Sequence, residues 1–160
     1  MQTRWLRVLV VVACVISIVG ISYALTQITI QNTSTIVAGQ SIFITQPASI
    51  APTTCPADGA VQYTNSPASV AWTLTAGAAG QHYYFCIDNQ GSAPDALSIT
   101  SSLTSGACPA SGNNLVYAGA TGVPSTLAGH TATTAPVDIL VCAGSSMTAG
   151  AGPSFTVSVT

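Results

Sequence analysis

The sequence predicts an all-β domain, and three features support that prediction. Beyond Ala24 no stretch keeps a helical period, whereas short alternating apolar stretches recur between clusters of Gly, Pro, Ser and Asn. Thr, whose β-branched side chain suits strands, fills many of the outward positions. About nine short strands over residues 25–160 is the number that a jelly roll or an immunoglobulin-like β-sandwich requires.

The predicted strands follow from this alternation. It is clearest at Val70, Trp72 and Leu74, which share one face of a strand. We predict strands, in chain order, at 26–31, 41–45, 60–64, 69–75, 82–88, 96–101, 114–118, 137–143 and 154–160. A chain of 160 residues suits one domain, so we expect residues 40–160 to form a single β-sandwich.

Residues 1–24 have the three parts of a secretory signal peptide. Two arginines come first, a run of 14 apolar residues follows over 8–21, and the small-x-small sequence SYA ends at Ala24. The run is shorter than the roughly 20 residues that span a bilayer. We therefore predict a helical signal peptide that is cleaved after Ala24. An uncut membrane anchor and a type IV pilin-like helix, retained as a filament core, are the alternatives.

Charge is scarce. Charged residues make up 4% of the chain, against roughly 25% in an average soluble protein. Both cations lie in the predicted signal peptide, so residues 25–160 contain four Asp and no Lys or Arg. Because phosphates are neutralised by cationic side chains, this composition excludes nucleic-acid binding. With so little repulsion between copies, we expect the protein to associate with itself.

The cysteines predict two disulfides and an extracellular location. Cys14 lies in the predicted signal peptide, and the remaining four, an even number in an exported chain, are Cys55, Cys86, Cys108 and Cys142. None belongs to a Cys-x-x-Cys pair of the kind that binds zinc. CPADG at the first of them recurs as CPASG at the third, and a cysteine in an apolar stretch follows each about 30 residues later. This repetition favours the pairs Cys55–Cys86 and Cys108–Cys142, and bridges that cross between the two halves are the alternative.

Few residues of the chain are candidates for catalysis or metal binding. Only His82 and His130 are available as bases for a nucleophilic triad, and no G-x-S-x-G sequence accompanies them. The stretch DNQGSAPD, from Asp88 to Asp95, has several oxygen ligands but lacks the D-x-D-x-D alternation of a calcium loop. We predict that both histidines are structural or solvated, that the stretch is a turn, and that the protein is not an enzyme and has no cofactor or metal.

A glycosylation acceptor sequence, NTS, begins at Asn32. A glycan there would solvate a surface that has few charges. A chance occurrence in a chain rich in Ser and Thr is the alternative.

Several stretches together resemble the subunits of archaeal surface filaments of the thread and bundling-pilus type, which are similar in architecture to the camelysin/TasA biofilm-fibre proteins. They are the signal that ends at a small residue, the Thr/Ile stretch directly after it, the strand and turn YYFCIDNQGSAPDALSIT, and the final strand PSFTVSVT. The resemblance covers most of the mature chain in layout. It does not extend to the arrangement of the four cysteines.

The resemblance implies a pilin-like subunit that serves adhesion or biofilm formation at the cell surface. Residues 25–39 would form a donor strand and its linker NTSTIVAG, and the strand would enter the sheet of the next copy through Thr26, Ile28 and Ile30. Such a head-to-tail contact propagates into an open filament. The partners would be other copies of the protein, together with cell surfaces or neighbouring filaments, and the membrane would be met only during export. The alternative is a secreted or anchored adhesin or carbohydrate-binding domain, in which the strand pairs within its own sheet.

Overall fold

The computed structural model describes residues 29–160, and this part of the chain is all-β. It consists of strands, turns and irregular segments, without a helix. Among these residues nothing helical is long and apolar enough to span a bilayer. The predicted signal peptide with its cleavage site at Ala24, and the predicted assembly residues Thr26 and Ile28, lie outside the described residues.

Fourteen strands make up the described part, and most are short. They are β1 Thr29–Ala38, β2 Ile42–Ile44, β3 Ala68–Thr75, β4 Gln81–Phe85, β5 Ile87–Asn89, β6 Asp95–Ala96, β7 Ile99–Ser101, β8 Thr104–Ser105, β9 Leu115–Thr121, β10 Thr126–Leu127, β11 Thr131–Ala132, β12 Val137–Ala143, β13 Gly150–Ala151 and β14 Phe155–Val159.

The strands form four sheets. The largest has β1 in its interior, with β3 on one side and β14 followed by β7 on the other, while β13 lies beside the first residues of β1. A second sheet has the order β4-β12-β9-β8, a third β11-β5-β2, and a short ribbon pairs β10 with β6. One hydrophobic core joins them, because buried residues from all four sheets belong to a single cluster. This arrangement is consistent with a β-sandwich.

Five of the nine predicted strands each coincide with one observed strand: 41–45, 69–75, 114–118, 137–143 and 154–160. Among the described residues the prediction at 26–31 includes only the start of β1, and the predictions at 82–88 and 96–101 each run across two strands of different sheets.

The prediction at 60–64 is wrong. Residues 60–64 form a turn and one isolated bridge to Ile44 instead of a strand. The alternation that suggested a strand does not correspond to a buried face, since Val61 is 96% exposed. The aromatic ring of Tyr63 is buried, and its hydroxyl donates to the carbonyl oxygen of Pro56, which holds the turn to the segment just before it.

The predicted linker NTSTIVAG is also wrong. Residues 32–38 belong to β1, which runs without a break from Thr29 to Ala38. The stretch was predicted to be a linker because it lies between the predicted strands at 26–31 and 41–45. In the structure every second side chain of β1 is buried, including the polar Asn32 and Ser34.

Both disulfides form in the pairing that the repeated CPxxG sequence favours. Cys55 is bonded to Cys86 and Cys108 to Cys142. Each joins an irregular segment to a buried position on or beside a strand, because Cys86 and Cys142 are almost fully buried. Two disulfides within one chain are typical of proteins in an oxidising, secreted or extracellular environment.

Candidate assembly site

Strand β1 is the best candidate for an assembly site because it fills a space between two other strands. It pairs antiparallel with β3 over eight residue pairs, from Thr29↔Thr75 to Ile36↔Ala68. On its other side it pairs parallel with β14 over five, from Ser34↔Phe155 to Ala38↔Val159. Removal of β1 would therefore leave a strand-wide gap in the largest sheet, with unpaired backbone groups along both sides.

The two faces of β1 differ in chemistry. Ile30 and Ile36 point into the core, with 1% and 0% of their surfaces exposed. Thr29, Gln31 and Thr33 are exposed on the opposite face. Apolar side chains on one face and backbone bonds along both edges are the features by which an added strand is held in a sheet. Of the predicted assembly residues, Ile30 is thus in a position to contribute.

A buried hydrogen bond fixes the register of β1 against β3. The indole Nε1–H of Trp72 donates to Ser34 Oγ at 2.8 Å, and the indole is 1% exposed. Its ring also packs against Tyr83, with centroids 4.5 Å apart, and against Phe155 at 5.7 Å. A shift of β1 by one residue would turn Ser34 to the other face of the strand and break this bond. The bond therefore favours the observed register over its neighbours.

A short hinge connects β1 to the rest of the domain. We use this name for residues 39–41, between the end of β1 and the start of β2. The Gly39 N–H donates to the carbonyl oxygen of Val159, and the Ile42 N–H donates to that of Gly39. The backbone thus reverses within three residues, from the largest sheet into the sheet that contains β5.

Strand β3 is at the edge of the largest sheet, and side chains of β4 cap part of that edge. The Thr73 N–H donates to Gln81 Oε1 at 2.9 Å, and the Tyr83 hydroxyl donates to the carbonyl oxygen of Ala71. These backbone groups therefore face away from β1. Such caps reduce the tendency of an edge strand to pair with another chain, a protection that charged residues usually provide.

The predicted glycosylation residue, Asn32, is not on the surface in this structure. It is 5% exposed, and neither its Oδ1 nor its Nδ2 has a hydrogen-bond partner among the described residues. A Cβ placed on Gly152 would lie 3.3 Å from Nδ2, so the amide is closely covered by backbone. The side chain is therefore largely buried, at the base of a surface pocket of about 500 Å³ that Asn32 lines together with Trp72 and Gly152.

Both histidines, His82 and His130, are exposed. His82 Nδ1 lies 2.9 Å from the carboxylate of Asp138 on the exposed face of β4 and β12, and its ring stacks on that of Tyr84. His130 is in an exposed loop with a φ of 54°, where its N–H donates to the carbonyl oxygen of Gly91. Within residues 29–160 no three His, Cys, Asp or Glu side chains come together as a metal site would require.

A pair of carboxyl groups near the first disulfide was missed in the sequence. Asp88 is fully buried, and its Oδ2 accepts hydrogen bonds from the Gly59 N–H and the Gln90 amide. Partial desolvation and the adjacent Asp88 carboxyl group raise the pKa of Asp58. Burial, with the charges of the same two carboxylates, raises the pKa of Tyr63 to about 12. Asp58 and Asp88 are 30 residues apart in the chain, so only the fold brings the two carboxyl groups together.

Acidification is expected to stabilise the region around Asp58. Because folding raises the pKa of this carboxyl group, the protonated form is favoured in the folded state. The resulting stabilisation is fully present below the unfolded pKa and is lost as the pH rises through the folded pKa. The melting temperature, followed by circular dichroism between about pH 3 and 8, should therefore show a component that falls with increasing pH and is absent from Asp58→Asn. Identical pH profiles for the two proteins would contradict this assignment.

The chain matches no protein-family model, no curated protein and no solved structure. The geometry of β1 is therefore the main guide to function.

Proposed function

We propose that the protein is the subunit of an extracellular filament in which β1 of one copy occupies the space between β3 and β14 of the next. The observation that carries this proposal is the position of β1. It is an interior strand, bonded on both edges, and in the described part of the chain it is covalently joined to its sheet only through the hinge.

The exchanged segment differs from the donor strand expected from the sequence. It comprises all of β1, from Thr29 to Ala38, and Ile30 and Ile36 are its apolar anchors. The flexible point is the hinge at 39–41, which replaces the predicted linker at 32–39. If the hinge extends, β1 leaves its own sheet and makes the same contacts in another copy. Each copy then donates one strand to the next copy and receives one from the copy before it. When no two copies exchange strands with each other, these head-to-tail contacts continue into an open filament.

The surface of the domain is compatible with such association. Residues 25–160 contain four carboxylates and no Lys or Arg, so copies repel one another weakly. The two disulfides are compatible with assembly at the cell surface, where adhesion or biofilm formation would be the role of the filament.

Engineered cysteines can distinguish exchange from pairing within one copy. Thr33 on β1 and Ala71 on β3 are opposite one another and exposed. Because the Ala71 carbonyl faces away from β1, they form a non-hydrogen-bonded pair, in which side chains are closest. With Thr33→Cys and Ala71→Cys, oxidation links β1 to whichever copy holds it. A ladder of covalent multimers on a non-reducing gel is expected after export and assembly.

A matched control places both cysteines in the receiving part of the domain. His82 on β4 and Leu140 on β12 are register partners as well, and because the backbone of the nearby Tyr84 bonds to Ala48 on the side away from β12, they too form a non-hydrogen-bonded pair. Cysteines there should cross-link within one chain in every case. Multimer ladders from the first pair alone, together with thin filaments in negative-stain electron microscopy, support the proposal. Filaments in which the first pair cross-links only within single chains would show that the contact between copies is made by other residues.

A second candidate function is that of a secreted, monomeric adhesin or ligand-binding domain. Two observations favour it: β1 completes its own sheet in the single chain, and an apolar groove of about 430 Å³ lies between the segment containing Ile50 and Pro52 and the ring of Tyr84. Ile50 is 81% exposed beside this groove. For this candidate, the cysteine pair at 33 and 71 gives monomers only, and no filaments are seen. A third candidate, the type IV pilin-like subunit, requires the apolar N-terminal segment in the mature protein, which intact mass spectrometry measures directly.

A further inference from the structure

Ser41, the last residue of the hinge, is held by the turn over residues 88–95, which we call the clasp. The hydroxyl of Ser41 donates to Asp95 Oδ2 at 2.5 Å, and its carbonyl oxygen accepts the N–H of Gln90 at 3.0 Å. A hydrogen bond to a carboxylate is about twice as strong as one between neutral groups. The hinge is thereby tied to the clasp by both its backbone and its side chain.

The clasp is itself rigid. The amide of Asn89 is fully buried and donates to the carbonyl oxygens of Ala93 and Leu127, while its Oδ1 accepts the N–H of Gly91. At Gly91 the backbone lies so close to the hinge that an added Cβ would be 3.0 Å from Ser41 Cβ. The clasp is therefore preorganised, and its shape matches the closed conformation of the hinge.

We propose that the clasp is a latch that keeps β1 in its own domain, so that breaking the bond between Ser41 and Asp95 speeds the release of β1. This inference deepens the proposed function, because it assigns the regulation of strand exchange to residues outside the exchanged strand. The bond between the Gln90 N–H and the Ser41 carbonyl oxygen continues the pairing of β2 with β5, so it holds the end of the hinge in the domain. In the latch, extension of the hinge turns the Ser41 hydroxyl away from Asp95, and this side-chain bond is the one that opens when β1 leaves. A copy whose latch is closed keeps β1 in its own sheet, and it remains a monomer until the latch opens.

Hydrogen–deuterium exchange on the monomer tests the latch directly. In Asp95→Ala the amides of β1 should exchange at least about tenfold faster than in the wild type, because opening no longer costs a charge-assisted hydrogen bond. Exchange in β12, at residues 137–143 in the core, should stay unchanged. Local release and general destabilisation are thus separated within one experiment.

Two further variants make the assignment specific. Asp138→Ala removes a carboxylate of the same charge from the exposed pair with His82, and exchange in β1 should stay at the wild-type rate. Ser41→Ala should match Asp95→Ala, and the double variant should be no faster than either single one, because the same bond is lost in each. Equal acceleration of β1 and β12, or none in either variant, would overturn the latch.

The latch and the filament can fail separately. In the background of Thr33→Cys and Ala71→Cys, multimer ladders should appear faster when Ser41→Ala is added. Faster exchange in β1 without any ladder would retain the latch and refute the filament. Ladders that form at one rate in all variants, with unchanged exchange in β1, would retain the filament and refute the latch.

Discussion

Removing both disulfides is expected to leave the domain largely unfolded at room temperature. The bonds close loops with sequence separations of 31 and 34 residues. In the chain-entropy account each loop contributes about 3 to 4 kcal/mol, so the loss of both approaches about 7 kcal/mol. The free energy of unfolding of a whole domain is only about 5 to 15 kcal/mol. Few charged groups are available within residues 25–160 to compensate for that loss.

Denaturant titrations followed by circular dichroism measure this effect. Cys55→Ala with Cys86→Ala, and Cys108→Ala with Cys142→Ala, should each lower the free energy of unfolding by about 3 to 4 kcal/mol, and the fourfold variant should show no cooperative unfolding transition. Alanine suits Cys86 and Cys142 because both are almost fully buried. A fourfold variant with wild-type stability would show that the packed sheets alone determine the fold.

Trp72→Ala is expected to lower the free energy of unfolding by about 3 to 5 kcal/mol. The indole is buried on the inner face of β3, where it packs against Tyr83 and Phe155. It also donates the hydrogen bond that fixes Ser34 of β1. Truncation leaves a cavity and an unpaired hydroxyl group at one site, so both penalties apply.

A graded series separates the two contributions of Trp72. Trp72→Phe keeps most of the ring volume and loses the hydrogen bond, whereas Ser34→Ala leaves the indole N–H unpaired, at a cost of about 1 to 3 kcal/mol. Thr73→Ala, an exposed neighbour on the same strand, should change stability by less than about 0.5 kcal/mol. If Trp72→Ala were as mild as Thr73→Ala, the packing described for the largest sheet would be wrong.

Strands with a clean alternation could be predicted closely. The prediction at 69–75 is within one residue of β3, and the one at 137–143 matches β12. In both, apolar residues occupy the inward positions and the register is fixed by burial on one face. The disulfide pairing was also predictable, because the repeat of CPxxG marked two equivalent halves of the chain.

The extent of β1 could not be predicted from the sequence. Asn32 and Ser34 are polar residues at inward positions, which breaks the alternation on which strand prediction depends. Ser34 can face inward because its hydroxyl accepts a hydrogen bond from the indole of Trp72, which is 38 residues away in the chain. The contact between the stretch from 88 to 95 and the hinge could not be predicted for the same reason, since Ser41 lies 54 residues before Asp95. Such contacts are tertiary and have no local signal.

The parallel pairing of β1 with β14 also affects the order of folding. Thr33 and its neighbour Ser154 are 121 residues apart, so this side of the largest sheet can form only after most of the chain has been synthesised. Disulfide loops of about 30 residues close over far shorter distances. During that interval β1 has only β3 to hold it. If the protein assembles as we propose, a subunit that meets an assembled neighbour during this interval has its longest opportunity to exchange β1, because its own sheet is not yet complete.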